Sequence, residues 1–296
     1  MSSRRRRRRR GRLVLFGLLA LALWWWWSRE SVTLGTFNIR QFPEATTDHA
    51  AVARAIGELD VDAFAVQEIA GREAFDAALR AAGEGDGRSL RASLSPYCKE
   101  GTPFPLHLGV VYDAARVELL RTRALGPSGA CEGDQPHGMA ALLRARDGTS
   151  FALAAIHMKA GGGAAEQEIR RRQWAWLLAA LPELEEDLGA PVIVAGDFNS
   201  TGYLEREHPE RRFIAEQLAR AGRATGSLAC SMYWQPNRER RRWAPSLLDH
   251  VLAPPGLTSE PEALGMCARL ACEPQDEAPP EWRTLSDHCP VRVRLR

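Results

Sequence analysis

Six times in this 296-residue chain an apolar stretch gives way to a side chain that a hydrophobic core rejects. Val32-Thr33-Leu34-Gly35-Thr36-Phe37 stops at Asn38, and Phe64-Ala65-Val66 stops at Gln67-Glu68. Leu153-Ala154-Ala155-Ile156 stops at His157, and Val192-Ile193-Val194-Ala195 runs into Gly196-Asp197-Phe198-Asn199. Leu247-Leu248 is followed by Asp249-His250, and Leu285-Ser286 by Asp287-His288 just before the final apolar run. Short runs of this kind read as buried strands. One strand-end Asp or Asn is usually a cap or an Asx-turn, and one His beside an apolar run is usually structural. Six such endings shift the balance, because strand ends of layered sheets converge on a common rim, where sites are built.

The remaining pattern alternates strands with helices. Strands are expected at Val32–Asn38, Ala63–Gln67, Leu90–Leu94, Leu106–Tyr112, His137–Arg146, Ser150–His157, Pro191–Ala195, Leu247–Leu252, Met266–Leu270 and Val291–Leu295. Asp147-Gly148 between two apolar runs is a strong hairpin signal. Helices are expected at His49–Leu59, Arg72–Ala82, Ala164–Leu181 and Glu210–Ala221; Ile169, Gln173, Leu177 and Leu181 form one i, i+4 stripe on the third. Arg238–Arg242 and Pro274–Trp282 read as loops. The sum is an α/β domain over residues 31–296, with two mixed sheets face to face and helices outside.

Residues 1–30 read differently. Arg4 to Arg10 and Arg12 precede an uncharged run from Leu13 to Trp27 that ends in four tryptophans. Arginines before an apolar run set a positive-inside orientation, and Trp favours the membrane–water interface. The run is shorter than the roughly 20 residues of a full span, so it fits a signal-peptide core or a short signal-anchor. Ala20-Leu21-Ala22, a formal cleavage site, lies inside the run, which favours an uncleaved anchor. Either way the domain is expected outside the cytoplasm: at the inner membrane facing the periplasm or exterior, or secreted. Six cysteines, all beyond the anchor, then favour disulfides. Without the eight arginines, 31 basic side chains face 37 acidic ones, a formal charge of −6. The domain is therefore mildly acidic and carries no general attraction for polyanions.

The polar endings supply one chemistry between them. Asn38, Glu68 and Asp287 offer oxygens to a hard divalent cation such as Mg²⁺. His288 beside Asp249 or Asp287 is a candidate general base. His157 and Asn199 can donate hydrogen bonds to a phosphate.

Thr36-Phe37-Asn38-Ile39-Arg40, Gln67-Glu68, His157, Gly196-Asp197-Phe198-Asn199, Leu248-Asp249-His250 and Ser286-Asp287-His288-Cys289-Pro290-Val291 stand in the order found in the endonuclease/exonuclease/phosphatase superfamily. Over residues 32–296 the chain resembles its deoxyribonuclease I-like members, as do Arg170 and Gln173. The resemblance implies a four-layered α/β sandwich with two mixed, mainly antiparallel sheets. It implies Mg²⁺ (or Mn²⁺) at Glu68 with Asn38 nearby, and Asp287 at the metal or supporting His288. His288 would be the general base, oriented by Asp249. Asp197 and Asn199 would position nucleophile and phosphate, and His157 would bind phosphate and assist the leaving group. His157, Phe-Asn-Ile-Arg and Tyr203 are more similar to the deoxyribonuclease I and sphingomyelinase branches than to apurinic-site enzymes. Deoxyribonuclease I pairs its leaving-group histidine with a glutamate; here Glu100 stands in the corresponding region.

Lys159, two residues beyond His157, and Arg240 and Arg241 in an arginine run between Trp234 and Trp243 are candidate phosphate contacts. The expectation is an exported, metal-dependent phosphodiesterase, with nucleic acid the favoured partner and the membrane reached through the N-terminal segment. The alternative is a lipid or small phosphoester hydrolase of sphingomyelinase or phosphoinositide phosphatase type. A non-catalytic module on the same fold is disfavoured, because none of the key residues is missing.

Overall fold

A computed structural model describes residues 31–84, 87–98, 102–126, 133–200, 209–222, 224–235, 242–254 and 259–296. The expectations for residues 1–30, for Glu100, Cys131 and Tyr203, and for Arg240 and Arg241 lie outside these ranges. No helix among the described residues is long and apolar enough to cross a membrane.

Thirteen strands and six helices are described. The strands are β1 (Val32–Phe42), β2 (Ala63–Ile69), β3 (Leu90–Tyr97), β4 (Leu106–Asp113), β5 (Val117–Leu125), β6 (His137–Ala145), β7 (Ser150–His157), β8 (Val192–Asp197), β9 (Met232–Trp234), β10 (Ala244–Ser246), β11 (Asp249–Leu252), β12 (Ser259–Ala263) and β13 (Val291–Leu295). The helices are α1 (His49–Leu59), α2 (Arg72–Glu84), α3 (Ala164–Leu188), α4 (Pro209–Ala221), α5 (Gly265–Arg269) and α6 (Pro280–Thr284). One sheet runs β12-β13-β1-β2-β4-β3 and the other β11-β8-β7-β6-β5, while β9 and β10 form a separate ribbon. In each sheet one neighbouring pair is parallel, β1 with β2 and β7 with β8, and the other pairs are antiparallel.

Period-two alternation builds the layers. Leu34, Ala63, Ala65, Leu153, Ala155, Ile193, Ala195 and Val251 point between the sheets into the central core. Their neighbours Phe64 and Val66 point out to α1 and α2, and Ala154, Val192 and Val194 to α3 and α4. The result is the expected helix–sheet–sheet–helix stack. The same parity carries the polar endings inward. Asn38, His157, Asp197 and Asp249 each lie an even number of residues from inward-facing core positions on their strands.

Sequence and structure part company at several places, among them the unexpected ribbon β9–β10 and the short helix α6, which begins inside the segment Pro274–Trp282 read as a loop. Met266–Leu270, expected as a strand, lies mostly in the short helix α5, where Met266 and Cys267 are buried. Met266 and Leu270 are four apart, a spacing that serves one helix face as well as it serves a strand. The sheet edge is formed instead by β12, whose Glu260 and Glu262 stand opposite Arg294 and Arg292. Helix α3 continues through Pro182 to Leu188 rather than stopping at Leu181. Strand β5 was not anticipated, because its exposed edge is polar; Arg121 and Arg123 pair with Asp187 on α3.

Candidate active site

Four chemistry-bearing residues form one row across four adjacent strands. His137 on β6 stands opposite His157 on β7, His157 beside Asp197 on β8, and Asp197 beside Asp249 on β11. Register neighbours place their side chains on the same face, so all four aim at the other sheet. Gly196 permits this closeness: a Cβ there would lie 2.0 Å from the Ile156 carbonyl oxygen.

The opposing sheet answers with Asn38 and Glu68. Strand parity alone would turn Glu68 toward α1 and α2. Its positive φ of 64° and a register shift between Val66 and Ile69 break that alternation at the rim. A left-handed conformation is uncommon for a residue with a side chain. Asn38 Nδ2 donates to Asp197 Oδ2 at 2.9 Å and to Glu68 Oε1 at 3.3 Å, so one amide joins carboxylates from both sheets. Its own Oδ1 accepts from the Arg40 backbone N–H at 3.0 Å.

Asp197 lies between two imidazoles. His157 Nε2 and His288 Nε2 are each 3.6 Å from Asp197 Oδ2. His288 Nδ1 lies 2.8 Å from Asp249 Oδ2, and that same oxygen accepts from Ser231 Oγ at 2.7 Å. On the other side His157 Nδ1 is 2.9 Å from the Tyr97 hydroxyl, and His157 Nε2 is 3.7 Å from Glu68 Oε1. Asp197 Oδ1 accepts from the Asn199 N–H at 2.8 Å, and Asn199 Nδ2 donates to the Met158 carbonyl at 3.0 Å. Asn199 is the second rim residue with positive φ, 51°.

Behind the row, α3 holds the strand ends. Gln173 Oε1 accepts from the Lys159 N–H, and buried Arg170 donates to the Lys159 and Gly161 carbonyls while pairing with Glu210. Lys159 is thereby fixed through its backbone; it lines one recess with Tyr97, His137 and His157. Asp287 sits at the rim, half-buried, its carbonyl accepting from the Tyr233 N–H. His250, next to Asp249, points the other way, against Phe198 and Thr225, and does not join the site. Two disulfides brace the His288 side. Cys289, adjacent to His288, bonds Cys267, and Cys230, adjacent to Ser231, bonds Cys272.

The site is rich in buried negative charge, which sets its protonation. Burial opposes a charged imidazole at His288, but Asp249, Asp197 and Asp287 outweigh it and push the ring up to about 10. Burial, reinforced by the Asp249 carboxylate and opposed by the two histidines, raises Asp197. Both groups hold protons more tightly folded than unfolded, so stability falls as pH rises. The His288 contribution is complete below its ordinary 6.5 and lost as pH passes about 10. Chelator-treated protein should therefore melt at progressively lower temperature from pH 7 to 10, and His288→Ala should flatten that slope. A slope unchanged by the substitution would show that other groups set the pH dependence.

Oxygen donors suit a hard divalent cation. Ligand atoms of Asp197, Asp249 and His288 lie within 4.8 Å of one another and are all buried. Asp249 Oδ1 is buried with no hydrogen-bond donor against it. His288 and Asp249 are engaged with each other, so it is Asp197 together with Glu68, joined by Asn38, that fits a metal centre by donor type and by excess negative charge.

Sequence reasoning missed the groups that orient the site. Tyr97 lies three residues beyond the strand expected at Leu90–Leu94, and Ser231 sits in a segment with no periodic signal. Tyr97 ends its strand directly before Cys98, which is itself disulfide-bonded; that position was the available hint.

The model of the endonuclease/exonuclease/phosphatase family matches residues 35–288, spanning every site residue above. The chain belongs to the endonuclease/exonuclease/phosphatase family. Solved members share its fold at low identity. The human Nocturnin catalytic domain with bound sulfate is 17% identical with a TM-score of 0.61, covering 90% of this chain and 94% of that one. TDP2 from D. rerio, complexed with single-strand DNA product, is 15% identical with a TM-score of 0.61, covering 90% and 99%. A mannosyl-6-phosphatase from Bacteroides thetaiotaomicron is 17% identical with a TM-score of 0.58, covering 90% and 100%. No curated protein matches the sequence of this family member.

Proposed function

We propose that residues 31–296 form a divalent-metal-dependent phosphodiesterase of deoxyribonuclease I type, using Mg²⁺ or Mn²⁺, with nucleic acid the favoured substrate. The observation that carries this reading is the pair of imidazoles flanking Asp197, each with Nε2 3.6 Å from the same oxygen and each oriented through Nδ1. In-line displacement at phosphorus needs a proton removed from the attacking water and a proton delivered to the leaving oxygen. Two separately oriented imidazoles meet that requirement.

Asp249 accepts the His288 Nδ1–H, which leaves Nε2 to take the proton from water. Asp197, held by Asn38 and the Asn199 N–H, keeps that Nε2 aimed at the reaction centre. On the other side His157 Nε2–H faces the leaving group. Asn199 holds the chain at Met158, and Lys159 beside it contributes positive charge near the phosphate. Glu68 and Asp197, with Asp287 at the rim, would hold the metal, Asn38 fixing the first two. When bound, the metal polarises the phosphoryl oxygens and offsets the carboxylate charge that otherwise keeps His288 protonated. Arg240 and Arg241 are retained as proposed phosphate contacts.

Residues 1–30 are proposed as an uncleaved anchor holding the domain outside the cytoplasm. The bonded state of Cys98, Cys230, Cys267, Cys272 and Cys289 supports an oxidising location. The test of function is a substrate panel on residues 31–296, with Mg²⁺ and with chelator: plasmid DNA, single-stranded DNA, RNA, sphingomyelin liposomes and phosphoinositides. Metal-dependent nicking of plasmid is expected. Intact nucleic acid alongside phosphocholine or phosphate release from the lipids would replace the nuclease reading with the lipid hydrolase one.

A further inference from the structure

We propose that Tyr97 is the positioning residue of His157, a neutral phenol that fixes the imidazole for proton delivery to the leaving group. The inference rests on the proposed phosphodiesterase reading and names a part that reading lacks. His288 Nδ1 meets the carboxylate of Asp249 at 2.8 Å, and His157 Nδ1 meets the Tyr97 hydroxyl at 2.9 Å.

Three observations make the contact a built one. Tyr97 is buried at 7% exposure, and it reaches His157 across the sandwich, from β3 of one sheet to β7 of the other. Its ring is fixed on both sides: it packs against His137 at 5.1 Å and meets His157 edge-on at 5.6 Å and 87°. Its backbone is fixed too, by pairing with Leu106 on β4 and by the disulfide-bonded Cys98 that follows.

The direction of the bond follows from the protonation state of the imidazole. Nε2 faces Glu68 Oε1 and Asp197 Oδ2, both acceptors, so Nε2 carries hydrogen. The form that can deliver a proton is the imidazolium, in which both nitrogens carry hydrogen, so Nδ1–H donates to the Tyr97 hydroxyl oxygen. The hydroxyl thus holds the ring with its N–H toward the reaction centre and adds no charge to a site already crowded with carboxylates. A carboxylate at this place would orient the same ring only by adding another negative charge.

The test separates positioning from mere packing. Tyr97→Phe keeps the ring and removes only the hydroxyl. Proton delivery matters when the leaving group is a poor alkoxide and little when it is p-nitrophenolate. We expect turnover of Tyr97→Phe with Mg²⁺ to fall about 10- to 100-fold on plasmid DNA and less than about 3-fold on bis(p-nitrophenyl) phosphate. Its melting temperature should stay close to that of the parent. His157→Ala is the control and should show the same selectivity, more strongly. Equal losses on both substrates, or none, for Tyr97→Phe while His157→Ala remains selective would overturn the role of Tyr97. Loss of selectivity in His157→Ala itself would instead overturn the assignment of His157 as proton donor.

Discussion

His288→Ala is expected to lower turnover about 10³-fold or more while leaving the domain folded. The imidazole is the proposed base, with Nε2 3.6 Å from Asp197 Oδ2 and Nδ1 2.8 Å from Asp249 Oδ2. General-base catalysis contributes about 10²- to 10⁴-fold, and no other described side chain combines this reach with a carboxylate behind it. The backbone at this position is secured independently: the His288 N–H bonds Ser286 Oγ, and Cys289 bonds Cys267. The loss should therefore appear in kcat with the fold preserved, and added imidazole should recover part of the rate by occupying the vacated space. Asp249→Asn should lose a comparable amount, about 10³- to 10⁴-fold, because the amide can hold the wrong tautomer of the ring and the stabilising charge is gone. Full activity in His288→Ala would remove the base assignment.

Glu68→Gln should be as damaging to activity and opposite in its effect on apo stability. The wild-type site gathers Glu68, Asp197 and Asp249, each buried at 5% exposure or less, and without a metal it relies on protons held at His288 and Asp197 to offset their charge. A divalent ion binding only the folded state stabilises it in proportion to ligand concentration, about 2.7 kcal/mol at 100 times its dissociation constant. Wild-type protein should thus melt several degrees higher in millimolar Mg²⁺ than in chelator. Glu68→Gln should melt higher than wild type in chelator, gain little from Mg²⁺, and lose about 10³-fold in turnover. A variant that kept the full metal-dependent shift would remove Glu68 from the metal centre.

The chemistry of this site was legible because it follows strand parity. His157, Asp197 and Asp249 end apolar runs, and period two sends each toward the core side with its strand's inward residues. Glu68 was legible by type and not by direction, since its inward turn depends on a left-handed residue that nothing local demands. Tyr97 was illegible for a different reason. An aromatic at the end of a strand reads as packing, and its hydroxyl acquires meaning only when the second sheet brings His157 within 2.9 Å. The same holds for Ser231, whose value lies in contacts 18 residues away. Helix α5 misled because Met266 and Leu270, four apart, satisfy either period.

The row His137–His157–Asp197–Asp249 has one more consequence. The spacing between its members is set by the distance between hydrogen-bonded strands, about 4.8 Å, and not by the length or rotamer of any side chain. The sheet acts as a ruler, and these four side chains are its graduations. Loops around the rim can then lengthen, shorten or change sequence without moving one graduation against the next. Substrate choice and bond-breaking are, in that sense, separately heritable. One inserted residue within β7 or β8, by contrast, would turn a graduation to the outer face, and no change in the loops could restore it.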